Sequence, residues 1–266
     1  IDVAYYLIHS MTTSSDTFSL LESKSASNFK KYMESTSVKQ VIYLSGISNE
    51  NNLSKHLSSR KKVEDILQSD FYALTVLRAG IIVGSGSASF EMIRDIVEKL
   101  PIMITPKWII TKAQPIAIRD VILFLTRVIN HKKCLNLTFD IGGPEILTYK
   151  EMMLQYAEER KLKRKIYTTS LISPKVSSYW LFFITSVSYS LAISLSDSMK
   201  NEVICENNDL QTILGIKPIT YRRAIKNAFI RIKQNLVLSS GKDSVISSSL
   251  GLSLSDFIEV PNFGCD

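Results

Sequence analysis

Gly84-Ser85-Gly86 follows an apolar run and precedes a helix-like stretch, in "RAGIIVGSGSASFEMIRD" (Arg78–Asp95). Glycines between a strand and a helix can bring backbone N–H groups and a helix N-terminus up to a phosphate. The dinucleotide pattern is Gly-x-Gly-x-x-Gly, and its third glycine is missing here: the loop reads Gly84-Ser85-Gly86-Ser87-Ala88-Ser89. No acidic residue ends a strand about 20 residues on, where a ribose would be gripped; "LPIMITPKW" stands there instead. Three readings stay open: a pyrophosphate site, a loop bordering a substrate pocket, and a plain turn. His9 closes an apolar run, the position where parallel sheets bind ligands, with a hydrogen-bonded structural histidine as the alternative.

Other chemistries find little support. Cys134, Cys205 and Cys265 are scattered, with no Cys-x-x-Cys or Cys/His cluster, so neither a zinc site nor a disulfide framework is expected. His9, His56 and His131 share no metal-ligand spacing, and no metal is expected. The cysteine pattern reads as a reducing, cytoplasmic setting. The net charge of +7 comes from 32 Lys and Arg against 25 Asp and Glu. The run Arg160-Lys161-Leu162-Lys163-Arg164-Lys165 has no interleaved aromatics, so it reads as a solvated surface, and no nucleic-acid partner is expected.

The elements that would position the chemistry alternate. Ile1–Ile8, Val38–Leu44 and Ala73–Val83 are apolar, β-branched and aromatic and read as strands, the last bent at Gly80. Asn136–Ile141 adds a short strand, ended by Gly142-Gly143-Pro144. Between them, Asp16 can cap a helix to about Ser35, with Phe18, Leu21, Phe29, Tyr32 and Met33 near helical spacing. Further helices are predicted over Asn52–Ser69, Ser87–Leu100, Ile118–Asn130 and, capped by Thr148, to about Arg160. Strand–helix alternation with strands apolar on both faces predicts an α/β protein with a Rossmann-like, doubly wound parallel sheet. About three major strands are visible where such a sheet has roughly six, so its first strands are expected to be missing.

After residue 165 the pattern changes, and a small, mainly helical C-terminal substrate lobe is expected over about 165–237. Tyr179–Leu195 carries no charge but is interrupted by Thr185 and four serines, and reads as a buried or pocket-lining helix rather than a span. Trp108 and the cluster Tyr179-Trp180-Phe182-Phe183 read either as pocket lining or as core. Tyr221–Leu236 is a basic amphipathic helix. The predicted organisation is a partial Rossmann-like domain over 1–237, a Ser-rich linker over 238–254 and the start of a truncated further domain over 255–266. The chain begins with Ile1 inside a strand-like run and reads as a fragment cut at both ends.

Several blocks together resemble the atypical short-chain dehydrogenase/reductase superfamily, in its bacterial NAD(P)-binding, epimerase-like subgroup. They are "VAYYLIHSM" (3–11), "VKQVIYLSGI" (38–47), "HLSSRKKVEDIL" (56–67), "LTVLRAGIIVGSGSASFEMIRDIV" (74–97), "PIAIRDV" (115–121) and "FDIGGPEILTYKEM" (139–152). They stand in the family's order and spacing and cover about residues 1–237; the tail resembles the start of a C-terminal domain of unknown function. The resemblance implies NAD(P), with NADP ahead of NAD, lying across the carboxyl ends of the strands. It implies that Leu7, Ile8, His9, Ser10 and Leu44 line the cofactor. Arg78, Ala79, Gly80, Ile81 and Ile82 would border the nicotinamide, Ser85 and Gly86 the substrate side, and Ser45 would stand at the active-site serine position.

One departure matters. The family's catalytic pair is Tyr-x-x-x-Lys on the helix after the serine strand, an i, i+4 spacing that puts both side chains on one face. Here the matching residues are His56-Leu57-Ser58-Ser59-Arg60. Histidine can exchange protons near neutrality, whereas arginine supplies only permanent charge. The pair is therefore a substitute catalyst acting with Ser45, a cofactor-binding pair without strong redox chemistry, or two surface residues of an amphipathic helix. The resemblance implies an oxidoreductase or a nucleoside-sugar-epimerase/dehydratase-like enzyme with an altered active site, acting on a small-molecule substrate. The rival from another class is a non-catalytic NAD(P)-sensing module. Membrane association is not expected, and the sequence leaves the oligomeric state open.

Overall fold

The computed structural model describes residues 1–8, 15–47, 55–169 and 198–233, with side chains from Ser19 in the first helix and from Ser58 in the second. In chain order the elements are β1 (Val3–Tyr6), α1 (Ser15–Glu34), β2 (Gln40–Gly46), α2 (Lys55–Leu67), β3 (Ala73–Ala79), β4 (Ile82–Val83) and α3 (Ala88–Lys99). Then follow β5 (Ile102–Thr105), β6 (Lys112–Ala113), β7 (Ile116–Ala117), α4 (Ile118–Arg127), β8 (Leu137–Ile141), β9 (Leu147–Thr148), α5 (Tyr149–Glu159), β10 (Lys165–Thr168), α6 (Asp209–Leu214) and α7 (Tyr221–Lys233).

β1, β2, β3 and β8 form one four-stranded sheet in that order, every pair parallel. Val3 to Tyr6 pair with Gln40 to Tyr43, so the first apolar run lies alongside the second as its pattern predicts. Continuous apolar strands need cover on both faces, and both are covered here. Val41, Tyr43, Leu74 and Val76 pack against Ala26 and Met33 of α1 and Val63 and Leu67 of α2. On the other face Ile42, Leu77, Phe139 and Ile141 pack against Val121 and Phe124 of α4 and Leu210 of α6. Phe124 is wholly buried, which by area alone is worth about 2–3 kcal/mol.

A second core gathers Phe90 and Ile93 of α3, Met152 and Tyr156 of α5, Ile225 of α7 and Trp108. Trp108 is core, set edge-on to Tyr149 with ring centroids 5.8 Å apart. β10 pairs in parallel with β5, so the chain beyond residue 165 joins elements from its earlier half. Thr148 caps α5 in a reciprocal box: its hydroxyl accepts from the Glu151 amide, and the Glu151 carboxylate accepts from the Thr148 amide. This is the cap the sequence predicts.

Three expectations are corrected. The apolar run Ala73–Val83 is two strands: β3 ends at Ala79, and β4 leaves the main sheet to pair with β7. The reason is at Gly80, where Val203 and the Gln114 carbonyl close over the backbone. In α1 the inward stripe is Glu22, Ala26, Phe29 and Met33, whereas Tyr32 is 70% exposed; Glu22 can be buried because Ser59 of α2 donates to it at 2.5 Å. The basic run 160–165 is not uniformly solvated. Arg164 donates to the Val97 and Glu98 carbonyls at the end of α3, and Arg160 pairs with Glu98 at 2.6 Å while stacking over Phe229.

Candidate functional site

In a doubly wound sheet the ligand crevice lies outside the carboxyl ends of the strands. There, Ser45 of β2 is in register with Arg78 of β3, and Arg78 with Asp140 of β8, so the three side chains leave one face of the sheet in a row. Ser45 is 2% exposed, and its hydroxyl makes no hydrogen bond among the described residues. An unsatisfied buried hydroxyl costs on the order of 1–3 kcal/mol, a cost that a ligand oxygen would remove.

Arg78 is committed to the protein. Its Nε lies 3.0 and 3.2 Å from the two carboxylate oxygens of Glu64, and Nη2 lies 2.5 Å from Oε2. The pair raises the guanidinium pKa, with Asp140 and Glu206 adding to the effect. Asp140 is buried, and its desolvation raises its pKa against the opposing pull of the Glu206 amide, which donates to it at 3.0 Å, and of Arg78.

The segment around Val203–Glu206 straps down over these strand ends. Gln114 N donates to Val203 O, Val203 N to Lys112 O, and Cys205 N to the Gln114 side chain. Burial, with Asp140 beside it, pushes the Cys205 thiol up to about 12, so it stays protonated and inert near neutrality. Of the predicted nicotinamide border, Ala79 and Ile81 are core residues, Gly80 is roofed by Val203, and Ile82 is half-buried.

At the end of β1, Leu7 and Ile8 are 52% and 56% exposed beside the row, and Leu44 is half-buried on the α4 face. His9 and Ser10 lie outside the described residues, as do the run 179–195 and the chain beyond residue 233. His56 falls in α2, but its side chain is also outside the described set. Arg60, one turn on, is half-buried, and its charge works to lower the pKa of the Tyr43 phenol.

Tyr43 is the residue that sequence reasoning missed. It is 3% exposed, two residues before Ser45 on the same face of β2, and its ring meets Tyr6 edge-on at 5.6 Å. Burial raises its pKa, with Arg60 and then Ser45 acting in the opposite direction. The two-residue alternation of a strand could have linked it to Ser45; the approach of Arg60 could not be read without the helix in place. The structure thus gathers Tyr43, Ser45, Arg60, Glu64 and Arg78 between the sheet end and α2.

The glycine loop stands outside the four-stranded sheet, between β4 and α3. Ser87 N donates to Gly84 O, and the Ser87 hydroxyl donates to Ile82 O at 2.6 Å. Gly86 sits at φ 83°, a conformation natural to glycine. Its amide donates at 3.3 Å to Glu91, which also pairs with Arg94 at 2.5 Å. A carboxylate from the first turn of α3 therefore already meets the amide and the helix dipole that an anion would use. Ser85 carries a buried hydroxyl without a hydrogen bond among the described residues.

An open recess of about 700 Å³, lined by Lys39, Asp70, Phe71 and Asn136 among others, lies at the amino ends of β2 and β3. That is the opposite end of the sheet from Ser45, so it is not the crevice the topology creates. Among the described residues no cluster of His, Cys, Asp and Glu could hold a metal ion, and no helix is long and apolar enough to cross a membrane.

No protein-family model and no curated protein matches the chain. Solved structures do. A nucleoside-diphosphate-sugar epimerase from Staphylococcus aureus superposes with a TM-score of 0.65 at 13% identity, over 85% of this chain and 76% of its own. The triphenylmethane reductase of Citrobacter sp. complexed with NADP(H) gives 0.65 at 15%, over 86% and 76%. A short-chain dehydrogenase/reductase superfamily protein from Agrobacterium tumefaciens with bound NAD gives 0.62 at 11%, over 89% and 80%. With its parallel sheet β1-β2-β3-β8 covered by helices on both faces, the chain has the Rossmann-like fold of the short-chain dehydrogenase/reductase and epimerase-like proteins.

Proposed function

We propose that the protein binds NAD(P) at the carboxyl ends of β1 and β2 and acts as an oxidoreductase or epimerase-like enzyme on a small molecule carrying a carbonyl or hydroxyl group. The observation that carries this reading is the Ser45 hydroxyl, sealed from solvent and unpartnered among the described residues, at the mouth of a Rossmann-like sheet. The residues fit one half of the cofactor. Leu7 and Ile8 present exposed apolar surface for a nicotinamide ring, and Ser45 offers a hydroxyl to the reacting oxygen beside it. Two groups suited to a pyrophosphate are already taken, since Arg78 is held by Glu64 and the Gly86 amide by Glu91.

When bound, the cofactor supplies hydride exchange. The protein's part is positional. Ser45 binds the substrate oxygen, the Arg78–Glu64 pair fixes the end of β3 against α2, and the Val203–Glu206 strap shields the β8 side from water. The similar structures include complexes with NAD and with NADP(H), so either form suits the reading.

The second reading, NAD(P) binding without turnover, draws on α2, where His56-x-x-x-Arg60 replaces the tyrosine–lysine pair. The deciding experiment measures NADPH binding by fluorescence and NADPH consumption with a panel of carbonyl substrates. Turnover lost in Ser45→Ala supports the enzyme; binding without turnover across the panel supports the sensor; no binding of NADPH or NADH sinks both.

A further inference from the structure

Tyr43 and Ser45 leave the same face of β2, both are sealed from solvent, and Ser45 has no hydrogen bond among the described residues. Arg60 lies one turn before the buried Val63 and Glu64 of α2, the helix packed on this face of the sheet, and is half-buried with no hydrogen bond or ion pair among the described residues; its charge lowers the pKa of the Tyr43 phenol. A hydroxyl, a phenol and a guanidinium thus stand in sequence from the strand end back into the sheet–helix layer. Purely structural packing would not need the phenol oxygen, because the surrounding cluster of Tyr6, Ala26, Val41, Val63 and Val76 is apolar.

We propose that Tyr43 is the positioning residue for Ser45: backed by Arg60, its phenol holds the serine hydroxyl aimed at the carbonyl or hydroxyl oxygen of a bound substrate. This rests on the NAD(P)-dependent reading above. In the substrate complex the phenol donates to Ser45 Oγ, which leaves the serine's own O–H to point into the crevice. Hydrogen bonds of this kind are commonly long in the free enzyme and tighten when substrate binds. The ionisable groups around Tyr43 are Tyr6 from β1, Glu22 from α1, and Arg60 and Glu64 from α2. Burial keeps the phenol protonated near neutrality, the state in which it can donate.

Two arms test the proposal on the intact chain. In the first, tyrosines are labelled with ¹³C at the phenolic carbon, and the Tyr43 resonance is identified by its loss in Tyr43→Phe. Ser45→Ala and Arg60→Gln are each expected to move that resonance, and Arg60→Gln to raise its titration, since the guanidinium now lowers it, while the remaining tyrosines stay in place. A Tyr43 resonance indifferent to both substitutions overturns the proposal. In the second arm, Tyr43→Phe is expected to lower kcat roughly tenfold, the size of one lost hydrogen bond, with NADPH binding, substrate KM and thermal midpoint held within error. The double variant Tyr43→Phe/Ser45→Ala should be no slower than Ser45→Ala alone, because residues acting as a unit are not additive. Undiminished kcat in Tyr43→Phe, or additive losses, overturns the proposal. Wild-type protein that turns over no substrate overturns the functional reading instead, and the resonance arm then decides alone whether Tyr43 and Ser45 are coupled.

Discussion

Arg78 of β3 and Glu64 of α2 form a two-point ion pair, with Nη2 2.5 Å from the nearer carboxylate oxygen and the Glu64 side chain only 7% exposed. It rivets the helix carrying His56 and Arg60 to the strand end beside Ser45. Removing one partner of a buried pair strands the other charge, at a cost of roughly 3 kcal/mol or more. Glu64→Ala is therefore expected to lower the urea midpoint strongly. The apolar double replacement Glu64→Leu/Arg78→Met should recover most of the loss, because the desolvation penalty disappears with both charges. A double variant as unstable as the single one contradicts this account.

Ser45→Ala tests whether the orphan hydroxyl serves a ligand. Deleting an unsatisfied buried hydroxyl relieves its desolvation cost, so the variant should be as stable as the parent, or more so by about 1 kcal/mol. Turnover should fall at the same time. That opposition of stability and activity marks a site kept for function. A clear loss of stability in denaturant titration means that the hydroxyl has a structural partner.

Asp120 is wholly buried and accepts from the Ile219 amide at 2.8 Å, tying α4 to the approach of α7. Desolvation raises its pKa above the ordinary 3.8, against the opposing effects of the Ile219 amide and Arg119. A raised carboxyl pKa makes folding take up protons, so this group's contribution is fully present below the unfolded pKa and is lost as pH rises through the folded one. Asp120→Asn should therefore gain on the parent as pH climbs from about 3 to about 6. Paired urea titrations at the two ends of that range measure it, and a difference that stays constant contradicts the burial effect.

Gly84 opens the glycine loop because α4 starts against it. A Cβ there would lie 2.5 Å from Ile118 Cγ2 and 2.9 Å from Ile118 Cβ. Overpacking of this order costs roughly 1–3 kcal/mol. Gly84→Ala should lower the thermal midpoint, and Ile118→Ala in the same chain should restore it. Failure of the rescue would mean that the glycine is required for a reason other than this contact.

Elements under local control can be read from residue order alone. Apolar runs such as "VIYL" and "ALTVL" could be satisfied only as strands covered on both faces. Thr148 with Glu151 wrote its own helix start, and strand–helix alternation left a parallel sheet as the economical topology. Ser45 was singled out by the family resemblance, at the position after "VIYL", and the structure adds that its hydroxyl is buried without a hydrogen bond among the described residues.

Tertiary structure decided what depends on partners distant along the chain. The residues of Ala73–Val83 allow a bend at Gly80, but the departure of β4 to a second sheet depends on Val203 and Gln114 closing over that glycine. Glu22 is buried because Ser59 of another helix donates to it, a contact that the helix's own residues do not reveal. Arg78, expected at the nicotinamide border, has its Nε and Nη2 claimed by Glu64. The glycine loop looked like an anion cradle until Glu91 took its amide. Periodicity tells which face of an element turns inward, but a charge or a hydroxyl is neutralised by whichever group the fold brings within about 3 Å, and that pairing exists only once the layers have packed.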